Sequence, residues 1–190
     1  MAKEVFKIAQ ISDVHVGDVR FEEAYLNAAI TEINAWEPDF LVIAGDLTTN
    51  GYREEYQAAK EHFNKLTCER RVVIPGNHDG RNVGYLFFDE IFGERFADFE
   101  FASGTDGYEK IRVVAVDSSK PDLNDGEIGR DNYRYVREGF EGEECFKIFI
   151  LHHHLISIPG TGRERNIVWD AGDVLEEAQE VQGRPDPQRP

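Results

Sequence analysis

The segment Phe40–Ala44 (FLVIA) constrains this chain most. Five consecutive apolar residues, with Pro38 upstream and Gly45 downstream, suit a strand buried on both faces. Such a strand needs a layer on each side, and the rest of the sequence supplies them. Phe6–Ser12 (FKIAQIS), Arg71–Ile74 (RVVI), Phe99–Ala102, Tyr108–Asp117 and Phe146–Leu151 (FKIFIL) also read as strands. Phe21–Trp36 reads as a helix with Ala24, Tyr25, Ala28, Ala29 and Ile33 as its apolar face, ended by Pro38. Tyr52–Leu66, Tyr85–Phe92, Tyr133–Glu138 and Asp170–Gln179 are the other helical stretches. Alternating strands and helices predict an α/β class, arranged as a layered α/β sandwich.

At 190 residues the chain is long enough for one domain with a real core, and 13 Phe and 7 Tyr can offset chain entropy. The domain is expected over residues 1–179. Residues 180–190 are expected to be a disordered tail, because Gln182–Pro190 (QGRPDPQRP) holds three prolines and no apolar anchor. The net charge of -16, from 37 acids and 21 bases, argues against sequence-independent nucleic-acid binding and against an anionic membrane surface. No apolar run approaches the ~20 residues of a membrane-spanning helix. MAKEVFKIAQ lacks a secretory h-region, and the two cysteines have no metal or redox spacing, so a cytoplasmic location is expected. Cys68 and Cys145 read as buried thiols, and Trp36 and Trp169 as packing residues.

The residues just past the strands carry the chemistry. The first strand leads into Asp13-Val14-His15, the second into Gly45-Asp46, the third into Gly76-Asn77-His78-Asp79, and Phe146–Leu151 into His152-His153-His154. Strand ends of an open α/β sheet meet at one crevice, so these residues can gather around ions. Asp13 and His15, two apart on extended chain, would point to the same side. Asp46 is a lone carboxylate with two oxygens and can bridge two cations. Asn77 offers an amide oxygen and His152 an imidazole. This oxygen and nitrogen set suits Mn, Fe, Zn or Ni, and without a nearby thiolate it does not suit structural zinc. Taken singly, Asp13-x-His15 is an ordinary turn, Asp46 a cap, and Gly76-Asn77 common turn chemistry. GTGRER at 160–165 lacks the third glycine and preceding strand of a phosphate-binding loop.

The segments ISDVHVG, VIAGDLT, VIPGNHD, VVAVDSS and ILHHH, in that order over roughly residues 5–175, resemble the calcineurin-like metallophosphoesterases, most closely their cyclic-nucleotide-phosphodiesterase-like branch. The resemblance implies a two-layer β-sandwich flanked by helices, in four α/β/β/α layers, with two divalent metal ions at its edge. It implies Asp13, His15 and Asp46 around the first ion, and Asp46, Asn77 and His152 around the second, with His153 and His154 as alternatives to His152. His78 would face the substrate phosphate as charge stabiliser or proton donor, beside Asn77. The implied reaction is hydrolysis of a small phosphodiester or phosphomonoester, such as a cyclic nucleotide. In it two cations ~3.5–4 Å apart acidify a bridging water for in-line attack.

The family pattern closes with a further strand and Gly-His-x-His, and neither is present here. Instead the chain reads EEAQEVQGRPDPQRP. Permitted codons for EVQGRPDPQRP, read after dropping one base, encode KFRVDLILSG and the start of a histidine codon, so a one-base frameshift near residues 175–179 is expected. The open sheet edge would weaken metal binding and leave room for a homodimer. Two other readings stand beside the enzyme. One is a catalytically impaired remnant acting as a metal-binding or interaction module; the other is a flavodoxin-like regulatory domain with an acidic Mg site.

Overall fold

The computed structural model describes residues 5–105, 108–141, 145–162 and 166–180. Among these residues six strands form two sheets. The first sheet holds β1 (Ile8–Ile11), β2 (Phe40–Ala44) and β3 (Arg71–Ile74), all parallel, with β2 central. The second holds β4 (Ala97–Thr105), β5 (Tyr108–Ala115) and β6 (Phe146–Ile150), with β4 antiparallel and β6 parallel to β5. The helices are α1 (Glu23–Trp36), α2 (Arg53–Phe63), α3 (Gly84–Ile91), α4 (Arg130–Phe140) and α5 (Ala171–Glu180), and a 3₁₀ turn, Arg81–Val83, precedes α3.

The period-2 alternation of strand side chains assigns every layer. On β2, Phe40, Val42 and Ala44 face the second sheet and pack with Val72, Ile74, Ile111, Val113, Ala115 and Ile150. The intervening Leu41 and Ile43 face the other way and pack with Leu26, Ile30, Tyr56, Ala59, Phe63 and Phe88 from α1, α2 and α3. Val114 of β5 points outward from the second sheet, against Val136 and Phe140 of α4 and Val174 of α5. The result is four layers, α/β/β/α, as the family resemblance implies, and FLVIA is fully buried because it lies within them. Phe40 anchors the inter-sheet layer, with ring centroids 5.7 Å from Phe99 and 5.6 Å from Phe101.

Several sequence expectations change. The buried face of α1 is Leu26 and Ile30, with Ile33 packed beside them, rather than a stripe through Ala24 and Tyr25. Tyr25 is 78% exposed. The branched aliphatic residues at i, i+4 and i+7 take the core side, and the small or amphipathic ones face water. Trp36 and Trp169 are exposed rather than packed, and Cys68 and Cys145 are only partly buried. Lys7 Nζ lies over the Trp36 ring at 5.4 Å. α1 ends at Trp36 because Glu37 adopts a left-handed conformation (φ 51°) just before Pro38. No helix among the described residues is long and apolar enough to cross a membrane. The expected tail beyond Glu180 lies outside the described residues, as does part of the GTGRER segment.

Candidate metal centre

The carboxyl ends of β1, β2, β3 and β6 open on one side of the sandwich, and the loops leaving them are stitched together by their backbones. The N–H groups of Asp13, His15 and Val16 donate to the carbonyls of Gly45, Asp46 and Leu47 at 3.1, 2.9 and 2.9 Å. This prolongs the β1–β2 pairing beyond both strands. The chain there is not extended, as the sequence suggested. Asp13, His15 and Asp46 have φ of 55°, 51° and 52°. Left-handed turns, not pleat alternation, bring Asp13 and His15 to one side, and such conformations in non-glycine residues cluster at functional sites.

Asp46 sits at the middle, buried, with 3% of its surface exposed. Its Oδ2 lies 3.6 Å from His15 Nε2 and 3.9 Å from His78 Nε2, and its Oδ1 lies 3.5 Å from His152 Nε2. Asp13 Oδ1 is 3.9 Å from His15 Nε2. Two sets of ligand-type atoms result, each within 4.8 Å: His15, Asp46 and His78, and Asp13, Asp46 and His152. Asp46 belongs to both. His15 and His78 lie toward Oδ2 of Asp46 and His152 toward Oδ1, while Asp13, 3.9 Å from His15, stands within reach of both sets. Asn77 is buried beside them, its Nδ2 donating to Asn124 Oδ1 at 3.4 Å.

The second nitrogen of each imidazole explains its orientation. His78 Nδ1 is 2.8 Å from the Thr49 carbonyl, and His152 Nδ1 is 2.9 Å from the Ala44 carbonyl. A carbonyl accepts only, so both Nδ1 atoms carry the proton and both Nε2 atoms present lone pairs toward Asp46 when neutral. This is the usual preparation of a metal-binding histidine. These two nitrogens, with His15 Nε2 as a third imidazole nitrogen, around a carboxylate with two usable oxygens fit divalent cations of the Mn, Fe, Zn or Ni kind. A cavity of about 210 Å³ opens beside Asp13, Asn77 and His152. It is smaller than the ~300 Å³ at which pockets for drug-sized ligands begin, so it suits a compact group such as a phosphate.

Electrostatics follow from this crowding. Burial opposes the charged form of both Asp46 and His152, but each more than offsets it in the other. The Asp46 carboxyl is held below its usual range, and His152 rises to about 9. Burial lowers His78. Burial, with His152 alongside, pushes His153 down to about 4. His153 is turned from the Asp46 carboxylate: its Nδ1 is 2.8 Å from Ser118 Oγ and its Nε2 is 3.2 Å from the Asn124 carbonyl. His154 is exposed.

Asp79 is the residue that motif reading left without a role. It is fully buried, and its carboxylate receives four hydrogen bonds. Leu47 N–H (3.0 Å) and Gly76 N–H (2.8 Å) reach Oδ2; Thr48 N–H (2.9 Å) and Thr48 Oγ1 (2.8 Å) reach Oδ1. It therefore ties the loop after β2, which carries Asp46, to the loop after β3. Burial and the Asp46 charge push its carboxyl up to about 6, against the pull of those donors. The only sequence hint was a carboxylate at the end of a Gly-Asn-His-Asp run beside a β-strand. A larger cavity of about 440 Å³ between α2, α3 and β3 has no such chemistry. Its Arg71 is bound to the Phe63, Leu66 and Cys68 carbonyls and closes the C-terminal end of α2.

Four layers with a histidine and carboxylate cluster at one end of the strands define a metallophosphoesterase fold. The calcineurin-like phosphoesterase family model matches residues 6–184, and the chain belongs to that family. It is 32% identical over 177 residues to a probable cyclic nucleotide phosphodiesterase of Vesicomyosocius okutanii, covering 90% of this chain and 68% of the relative. It is 28% identical over 156 residues to a probable glycerophosphodiester phosphodiesterase of Arcobacter nitrofigilis, covering 77% and 56%. The chain thus spans little more than half to two thirds of the length of the curated relatives it matches. A dimetal phosphatase from Danio rerio superposes with a TM-score of 0.66 at 13% identity, over 95% of this chain and 79% of that one. A purple acid phosphatase from yellow lupin seeds gives the same score and identity, over 95% and 37%. Both share the fold.

Proposed function

We propose that this chain is a binuclear metal-dependent phosphoesterase acting on a small phosphodiester or phosphomonoester of the cyclic-nucleotide kind. The observation that carries the reading is Asp46, whose two oxygens each face a different set of ligand-type side chains. Asp13 and His152 would hold one ion with Asp46, and His15 and His78 the other, with Asn77 at hand as a neutral oxygen donor. Bound there, Mn, Fe, Zn or Ni would supply Lewis acidity toward a phosphoryl group and lower the pKa of a water.

The protein's own part is positional. The backbone N–H of His78 donates to Asp46 Oδ1 at 2.8 Å and fixes the carboxylate rotamer. His78, with its Nδ1 proton committed to Thr49, offers Nε2 either as a ligand or, once protonated, as a proton donor to a leaving oxygen. Asn77 can donate its amide hydrogens to a phosphoryl oxygen. The names of the relatives favour diesters, and the about 210 Å³ cavity favours a compact phosphate.

The test is uptake of Mn together with hydrolysis of bis-p-nitrophenyl phosphate, with EDTA as control, in the parent chain and in Asp46→Ala. The expected result is up to two ions per chain and metal-dependent turnover, both lost in Asp46→Ala. Ions and activity that survive the substitution would overturn the assignment. Ion binding without turnover would favour a metal-binding module instead.

A further inference from the structure

Arg81 lies three residues past His78, and an unusual amount of the fold is devoted to holding it. Its Nη1 donates to the Thr49 carbonyl at 3.2 Å, the same oxygen that receives His78 Nδ1. Its Nη2 donates to Asn124 Oδ1 at 3.1 Å, the same oxygen that receives Asn77 Nδ2. The guanidinium is therefore one acceptor atom away from each of the two residues that face the phosphate in the proposed function. Among the described residues no ion pair joins it to a carboxylate, unlike Arg20, Arg53, Arg95, Arg112, Arg134 and Arg137. Arg71 too is held by neutral acceptors, but those are the carbonyls at the end of α2. What sets Arg81 apart from Arg71 is its place: its two acceptors are the ones that also hold His78 and Asn77, so its unneutralised charge lies on the ligand-cluster side of the fold.

The backbone here is independently strained. Asn82 and Val83 have φ of 48° and 57°, and a left-handed β-branched residue is a genuine outlier. The strain is pinned from two sides. Asn82 N–H donates to Asp122 Oδ1 at 3.0 Å, and Asn82 Nδ2 donates to the Asn50 carbonyl at 3.1 Å. Gly51 (φ +71°) lies so close to the Arg81 carbonyl that a side chain there would collide with it. Backbone strain of this kind costs on the order of 1–3 kcal/mol per residue and persists where a side chain must be held in place.

We infer that Arg81 is a substrate-binding residue, whose guanidinium takes a non-bridging oxygen of the phosphate ester on the His78 and Asn77 side of the site. The inference rests on the phosphoester reading of the metal centre. Two N–H groups are used by Thr49 and Asn124, and the planar fork has five, so the pair that fixes its plane leaves donors for an oxyanion. Asn124 and Thr49 then act as positioning residues, through Arg81. A guanidinium already anchored loses little freedom on binding, which favours affinity over turnover.

The test uses the full chain, Arg81→Gln and Arg81→Lys, with three readouts: Mn stoichiometry, affinity for inorganic phosphate with and without Mn, and KM and kcat for bis-p-nitrophenyl phosphate. Expected in Arg81→Gln are unchanged Mn stoichiometry, phosphate affinity weaker by about tenfold or more, and KM raised by a similar factor with kcat changed less than about threefold. Arg81→Lys should recover part of the affinity. Phosphate affinity equal to the parent's, with and without Mn, would overturn the inference. So would loss of Mn together with phosphate, which would make Arg81 a structural strut. A parent chain that binds Mn and phosphate but does not turn over would overturn the proposed function and leave Arg81 to be judged on phosphate affinity.

Discussion

Replacing Gly76 by alanine tests the packing of the centre more sharply than removal of any ligand. A methyl group on Gly76 would lie 2.9 Å from His152 Nε2, and closer still to the Oδ1 and the backbone nitrogen of Asp46. The backbone nitrogen cannot swing aside as a side chain can. Gly76 itself cannot retreat, because its N–H is bound to Asp79 Oδ2 at 2.8 Å and Ile74, two residues earlier, is in register with Ala44. Relief therefore means prising β2 from β3 at the site. Overpacking costs about 1–3 kcal/mol, and a lost hydrogen bond to a charged acceptor about 1.5–3 kcal/mol more. We expect a loss of about 3–5 kcal/mol, and a fall in Tm of about 10 °C for a chain of this length. Mn uptake should fall with it, since Asp46 and His152 are the atoms displaced. Gly172→Ala is the control. It lies on α5, its added methyl meets nothing within 4 Å, and it should be neutral or stabilising by up to about 1 kcal/mol. Thermal unfolding and Mn titration of both variants make the comparison. A Gly76→Ala chain that melts within about 2 °C of the parent and keeps its ions would refute the close-approach argument.

Other consequences are measurable on the same samples. The folded-state pKa of His152, about 9, lies above its ordinary 6.5, so the stability it contributes is whole below pH 6.5 and is lost as pH rises through 9. Urea titrations in EDTA should show the metal-free chain losing up to about 3 kcal/mol across that window, and His152→Gln should flatten the slope. His153 runs the other way. Its folded value of about 4 is below 6.5, so its contribution is whole above pH 6.5 and is lost as pH falls through 4; His153→Gln should blunt that acid-side loss in the same titrations. Phe40→Ala, in the middle of the inter-sheet layer, should cost about 3–5 kcal/mol by chemical denaturation while leaving the ligand cluster chemically unchanged.

The layers were legible in the sequence because burial and period are local properties. FLVIA reads as a central strand buried on both faces, and FKIFIL and RVVI read as strands from their apolar runs, although neither sequence says which face is which. The convergence of Asp13, Asp46, His78 and His152 was legible for a related reason, since each comes after a strand and strand ends are neighbours in a sheet. The α1 face was misread because alanine and tyrosine are permissive at surface positions, and only the packed α2 shows that Leu26, Ile30 and Ile33 point inward. The partition of ligands between the two oxygens of Asp46 was not legible at all. It depends on three left-handed backbone positions, and none of the three is a glycine that would have announced the turn.

Those three positions explain why Asp79 has to be where it is. Asp13, His15 and Asp46 each hold a conformation that costs on the order of 1 kcal/mol or more, and all three lie in loops, where strain would ordinarily relax. The hydrogen bonds from Asp13 and His15 to the loop after β2 transfer their geometry to that loop. That loop is in turn fixed by Leu47 and Thr48, whose N–H groups both end on the Asp79 carboxylate. The Tyr56 hydroxyl donates to the Asp79 carbonyl at 2.7 Å from a fully buried ring on α2, so the clamp is rooted in the helical core rather than in another loop. One buried carboxylate thus carries the strain of the β1 and β2 loops into the core. A lone acid at the end of Gly-Asn-His-Asp does this with four hydrogen bonds and, among the described residues, no cation, so the tie depends on directed donors rather than on a counter-charge.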